Sequence, residues 1–317
     1  MAFTMHSHSG QFCPGHAVDQ LEDIVRHAVS VGFKTMGLTE HMPRYEERDL
    51  YPEERANPQK SLSALPPLHQ AYLAEAQRLR AKYAPSIHIL IGFEAEFIRP
   101  AFAPLVRALA AAPCVDYFVG SVHHVHGIPI DYDAAAYAAA VAAAPAASEE
   151  RLFENYYDLQ RDMLLALEPR VVGHFDLVRL WSQAPGADPR RWPRVWAAIR
   201  RNLAIVARQG GWLECNTAAL RKGLDEPYPC RAIAEEWLKL GGKFTMSDDS
   251  HAIAHVATHY APAIDYLESL GVEHVWTFRR QPESSTTPST LEETPVSLGE
   301  FRKHFPTCDG LGTMSEA

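Results

Sequence analysis

Short apolar or β-branched runs recur along the 317-residue chain, each followed by a few polar residues and then a stretch of helical periodicity. The runs predict strands at 2–5 (AFTM), 35–39 (TMGLT), 87–92 (IHILIG), 115–120 (VDYFVG), 170–173 (RVVG), 211–215 (GWLEC), 243–247 (KFTMS) and 274–278 (HVWTF). Between them the pattern predicts helices over 17–31, 66–82, 149–166 and 190–208, with a last helix at 298–305. Strands alternating with helices over this length predict an α/β fold, and a barrel of βα units is its economical arrangement. Two segments break the pattern. Residues 134–147 (AAAYAAAVAAAPAA) read as an alanine-rich helical insertion, and 281–297 (QPESSTTPSTLEETPVS) as a flexible Ser/Thr/Pro loop. Neither divides the chain, so one domain over 1–317 is expected.

Composition narrows the class. With 47% hydrophobic residues the chain can bury a sizeable core. The start, MAFTMHSHSG, has no basic region followed by an apolar run, and no stretch reaches the roughly 18 apolar residues of a membrane span. A cytoplasmic protein without a membrane partner is expected. Five scattered cysteines without a CxxC pair suggest neither a disulfide framework nor a zinc ribbon. The net charge of −9 and the lack of a Lys/Arg block count against a nucleic-acid partner.

The chemistry sits where the strands end. The first run leads to His6 and His8, the second to Glu40 and His41, and the third to Glu94 in GFEAEF. The fourth leads to His123 in SVHHVH and the fifth to His174 in VVGHFD. Glu214 and Asn216 close the sixth, and Asp248, Asp249 and His251 (SDDSH) the seventh. In a parallel barrel all these ends lie on the face where active sites form. His6 and His8 share one side of their strand, because side chains alternate with period two. Imidazoles and carboxylates converging in this way need positive charge among them, which divalent metal ions supply. His27, His69, His88, His274 and His304 lack such placement and read as surface or structural residues, and His255 and His259 as a solvated stripe following His251.

The order HxH, a further His, TEH, GFE, SVHH, GHFD and SDDSH resembles the PHP (polymerase and histidinol phosphatase) superfamily from about residue 4 to about 280. The flanking text HVHGIPIDYD, PRVVGHFDLVRLW, LECNTAALRKG and EPYPC is similar to its histidinol-phosphatase branch. That resemblance implies a distorted (β/α)7 TIM-like barrel of PHP type, with 274–278 an edge strand, and two or three divalent ions. His6, His8, Glu94 and Asp249 would hold the first ion, Glu94, His123 and His174 the second, and His16, His41 and His251 the third. Within the motifs Glu96 could replace Glu94, His124 or His126 could replace His123, and Asp248 could replace Asp249, although the spacing DSH fits the family better with Asp249.

Nitrogen-rich sites without thiolate suit zinc, manganese or iron. The implied reaction is hydrolysis of a small phosphomonoester, L-histidinol phosphate, by hydroxide bridging the ions, the alternative being a phosphoesterase of the same family that acts on nucleotides or other phosphomonoesters. Arg179 and Arg221 would grip the phosphate. Asp249, His251 or His41 would move protons, and Glu96, Asp176 or Glu214 would select the ammonium-bearing substrate.

Overall fold

The computed structural model describes residues 1–281 and 290–305. Its strands are β1 (Ala2–Thr4), β2 (Phe33–Leu38), β3 (His88–Ile91), β4 (Glu94–Glu96), β5 (Val119–Ser121), β6 (His124–Val125), β7 (Ile128–Pro129), β8 (Val171–Val172), β9 (Trp212–Asn216), β10 (Lys243–Ser247), β11 (His274–Gln281) and β12 (Thr290–Ser297). The helices are α1 (Leu21–Ser30), α2 (Pro58–Tyr83), α3 (Ala103–Ala110), α4 (Ala134–Ala143), α5 (Glu149–Leu167), α6 (Pro193–Gln209), α7 (Ala218–Arg221), α8 (Arg231–Lys239), α9 (Tyr260–Ser269) and α10 (Leu298–Arg302). No helix among the described residues is long and apolar enough to cross a membrane.

Each long helix buries one stripe. In α1 the buried set is Leu21, Ile24, Val25 and Ala28, and in α6 it includes Val195, Ile199, Leu203 and Val206. Asn57 caps α2 by accepting a hydrogen bond from the Lys60 N–H, and Asp133 caps the alanine-rich α4 from Ala136. The short strands are buried along almost their whole length, as parallel strands covered by helices on the outside require. The core runs unbroken from Ala2 to Phe301.

Eight of the strands form two parallel sheets, ordered β1-β2-β3 and β10-β9-β8-β5-β4, and β6-β7 and β11-β12 are antiparallel pairs. The ladders therefore do not draw the closed seven-stave ring that was expected. The third apolar run is the reason: it breaks at Gly92 and Phe93, so β3 pairs with β2 while β4 pairs with β5. Isolated bridges span the seams, His41 with Glu94 on one side and Ser7 with Ser250 on the other. The Met5 N–H also donates to the Met246 carbonyl at 3.0 Å.

Two boundary expectations change. The edge run 274–278 extends to β11 and pairs antiparallel with β12, so 290–297 is a strand and not loop. There the β-branched and apolar residues alternate well enough to pair Val296 with Val275 despite the Ser/Thr/Pro composition. Residues 282–289 of the expected loop lie outside the described residues. His255 and His259 form no helical stripe with His251, because α9 begins only at Tyr260, and His255 lies in a short 3-10 turn before it.

Gly173, just before His174, shows how tightly the strand ends pack. A Cβ there would lie 2.4 Å from Ser121 Oγ and 2.8 Å from Val119 Cγ1, prising β8 from β5. Gly173→Ala is expected to lower the unfolding free energy by about 1–3 kcal/mol through overpacking. Gly186→Ala, where nothing lies within 4 Å, should change it by less than about 0.5 kcal/mol. Urea denaturation of the two variants tests this, and equal shifts would refute it.

Candidate metal centre

The strand ends gather around one carboxylate. Glu94 is 1% exposed, and its two oxygens face different histidines. Oε2 lies 3.3 Å from His6 Nε2, 3.5 Å from His8 Nε2 and 3.0 Å from His41 Nδ1. Oε1 lies 3.2 Å from His123 Nε2 and 2.9 Å from His174 Nε2. Asp249 Oδ1 completes the first side, 3.8 Å from His6 Nε2 and 3.4 Å from His8 Nε2.

These separations can be tested against a metal. Two donors bound to one tetrahedral ion at about 2.1 Å are about 3.4 Å apart, and the spacings around Glu94 and Asp249 cluster at that value. Donor nitrogens and oxygens from three sets, His6/His8/Asp249, Glu94/His123/His174 and His8/His41/His251, lie within 4.8 Å of one another. Buried His6 Nε2, both nitrogens of His8 and both of His41 have no well-formed hydrogen bond. Unpaired buried polar atoms are costly, and a divalent cation satisfies them. The residues present fit the group.

Outer partners aim the rings. His6 Nδ1 pairs with Glu214 Oε1 at 2.8 Å, which turns Nε2 toward Glu94, and the other Glu214 oxygen accepts the His174 backbone N–H at 3.0 Å. Glu96 Oε1 lies 2.9 Å from His41 Nδ1 and 3.2 Å from an Arg44 nitrogen, so it braces His41 while Glu94 occupies the centre. Asp249 sits in a left-handed backbone conformation (φ 47°), a strained position for a non-glycine residue. Arg221 holds it there by donating to the carbonyls of Asp248 and Asp249, at 2.8 Å each.

Without a cation the ring charges conflict. Burial and the neighbouring His41 charge push His8 down to about 3. Burial also disfavours charge on His6 and His41, yet Glu214 and Glu94 outweigh it for His6, and Glu94 and Glu96 for His41, so both rise. Burial would raise Glu94, but His123, His6 and His41 hold it well below the usual carboxylate range. These opposed tendencies mark a cluster whose carboxylates call for positive charge, which a metal ion would supply.

The open alternatives resolve by contact. His124 is buried beside the Tyr51 ring, and His126 pairs with Asn155, so His123 alone of the three meets Glu94. Asp248 faces away from the cluster, bonded to Thr4, Ser250 and Ala257. His16 stands at the rim, its Nδ1 3.4 Å from Glu53 and its ring 5.0 Å from that of His251 and 5.3 Å from that of His41. In the third group His8, expected on the first ion, stands with His41 and His251 where His16 was expected.

Two expectations fail. Arg179 is buried against Asp176 (2.8 Å) and the carbonyls of Glu226 and Pro227 (2.9 and 2.8 Å), away from the pocket. Its donors hold Glu226 and Pro227, and Asp176 accepts from the Cys230 N–H, so the pair fastens the 226–230 segment. Glu96, Asp176 and Glu214 likewise pair with internal partners and do not line the pocket, although Glu96 Oε2 and Asp176 Oδ1 are left without a hydrogen bond.

The pocket over the cluster has a volume of about 410 Å³ and is bordered by His41, Asp249, His251 and Arg221. Sequence reasoning passed over Lys222, Glu53, Tyr51, Asp131 and His255, which also line it. Lys222 adjoins Arg221 and His255 follows His251 by four, whereas nothing local marks the others.

The PHP domain family matches residues 4–218. This chain belongs to that family. It is 38% identical over 289 residues to a Schizosaccharomyces pombe protein named as a probable histidinol-phosphatase, covering 90% of this chain and 92% of the relative. Identity to the Saccharomyces cerevisiae histidinol-phosphatase is 32% over 323 residues, covering 92% and 96%. Among solved structures, a candidate histidinol phosphatase of Listeria monocytogenes superposes with TM-score 0.69 at 25% identity, covering 82% of this chain and 99% of that one. The Lactococcus lactis enzyme, solved with zinc, L-histidinol and phosphate, shares the fold (TM-score 0.61, 19% identity, 87% and 96% covered).

Glu214→Gln is expected to weaken divalent-metal affinity by about 10–100-fold through loss of the His6 orientation, read by competition with a chelator. Unchanged affinity would refute the outer-partner role. Arg179→Lys should lower Tm and leave the KM for a phosphomonoester unchanged, whereas a raised KM at unchanged Tm would return Arg179 to the substrate.

Proposed function

We propose that this protein hydrolyses L-histidinol phosphate to L-histidinol and inorganic phosphate. The single observation that carries this reading is the Glu94 carboxylate, with one oxygen toward His6, His8 and His41 and the other toward His123 and His174. The fungal relatives, matched over at least 90% of this chain, point to the substrate.

In this reading His6, His8, Glu94 and Asp249 hold one ion, and Glu94, His123 and His174 a second. His41 and His251 hold a third, with His8 beside them and His16 at the rim. All-nitrogen-and-oxygen donors favour zinc, manganese or iron. Bound there, such ions acidify water into a nucleophile and neutralise phosphoryl oxygens. The two sheets would close around them as the distorted seven-stave barrel of the family, a reading supported by the seam bridges and by β3 and β4 acting as one stave. The four described cysteines are all free, which accords with the reducing cytoplasm.

The chain's own groups do the rest. Arg221 and Lys222 border the pocket and oppose the phosphate charge. Arg221 also keeps Asp249 in its strained position, so its loss would harm both grip and geometry. An aliphatic alkoxide leaves poorly without a proton. Asp249, His41 and His251 all border the pocket, and His251 is the most open to solvent.

Phosphate release from L-histidinol phosphate is expected to vanish on chelation and return with manganese, zinc or iron. His174→Ala should lower it by at least about 100-fold, beyond the usual effect of an outer partner. Turnover of a nucleotide but not of L-histidinol phosphate would discard the substrate and keep the centre.

A further inference from the structure

L-histidinol phosphate carries a phosphate at one end and an ammonium group and an imidazole toward the other. A pocket that selects it must therefore present cations in one place and an anion in another. The cationic wall is formed by Arg221 and Lys222, beside Asp249 and His255. The pocket's other carboxylates all have cationic or imidazole partners: Glu94 and Asp249 face the histidines, and Glu53, although its Oε2 is also left without a hydrogen bond, lies 3.4 Å from His16 through Oε1. Asp131 is different.

Asp131 leaves a small hairpin rooted in the cluster itself. In that hairpin His124 pairs with Pro129 and Val125 with Ile128, and the Ile130 N–H donates to the His123 carbonyl at 2.8 Å. Asp131 follows directly, so its place is set relative to His123. From the other side the Trp181 indole N–H donates to the Asp131 carbonyl at 3.3 Å. The side chain lines the pocket, and its Oδ1 is buried without a hydrogen-bond partner. Among the described residues no Lys, Arg or His nitrogen is paired with this carboxylate. A buried carboxylate oxygen left unpaired is costly, yet the Trp181 bond to its own carbonyl and the Ile130 bond just before it hold Asp131 in place. An ammonium group, with three donors and a positive charge, satisfies it.

We propose that Asp131 binds the ammonium group of the substrate and so separates L-histidinol phosphate from other phosphomonoesters. This rests on the substrate reading above, and it replaces Glu96, Asp176 and Glu214 as the selecting carboxylate. Among the described residues no metal-ligand histidine and no pocket cation is paired with the Asp131 carboxylate, so its loss should affect recognition first and leave the chemistry at the ions intact.

The test compares the metal-loaded wild type with Asp131→Asn on three substrates. These are L-histidinol phosphate, the analogue that lacks only its amino group, and p-nitrophenyl phosphate. The wild type should favour L-histidinol phosphate over the amino-free analogue by about 10–100-fold in kcat/KM, the range of a hydrogen-bonded charge contact. Asp131→Asn should erase that preference, mainly through KM, and leave the other two substrates unchanged. Trp181→Phe should retain most of the preference, because it removes one brace and not the carboxylate. A preference that survives in Asp131→Asn overturns the proposal, and so does an equal loss on all three substrates, which would mark a structural role. Wild type that hydrolyses p-nitrophenyl phosphate but not L-histidinol phosphate overturns the substrate reading, and this proposal with it.

Discussion

Glu94 is an ionised carboxylate removed from water and surrounded by five imidazoles, and the arrangement of the strand ends follows from making that burial tolerable. Desolvating such a charge costs several kcal/mol after relaxation, and only well-placed positive partners offset it. The partners are carried by four strand ends, His6 and His8 sharing the first, so the sheets must bring those ends within a few ångströms. The break at Gly92 and Phe93 does this directly. It carries one strand run from the first sheet to the second and leaves Glu94 at the seam, bridged to His41.

A second layer of ionic contacts keeps the ligands in register. Glu214 aims His6 and fastens the His174 backbone, Glu96 with Arg44 braces His41, and Arg221 fixes the strained Asp249. Buried pairs of this kind contribute little net stability, because desolvation cancels much of their attraction. What they provide is orientation, which a centre built on nitrogen and oxygen donors depends on. Arg179 belongs to the same layer, where with Asp176 it fastens the 226–230 segment.

The pocket above this layer is asymmetric in charge. Arg221 and Lys222 stand near Asp249, while the hairpin from His123 delivers Asp131 to the wall. A substrate with a phosphate and, two carbons from its ester oxygen, an ammonium group meets complementary charge for both groups. Binding energy from the part of the substrate that does not react can then position the phosphorus over the ions.

The sequence by itself determined the α/β alternation, the succession of His, Glu and Asp at seven strand ends and the shared side of His6 and His8. Those features follow from local periodicity, which a chain carries whatever its partners. His6, His8, Glu94, His123, His174 and Asp249 were legible for that reason, and the order of their motifs pointed to the family. Tertiary structure alone decided between Glu94 and Glu96, because both lie on one side of an extended run and only packing shows which one meets five histidines. It also decided that Arg179 is spent on Asp176 and two carbonyls, although Asp176 three residues earlier was a local hint. Asp131 and Glu53 came to light only in the fold. Their surroundings come from segments far away in the chain, and no spacing rule encodes which buried carboxylate is left without a partner.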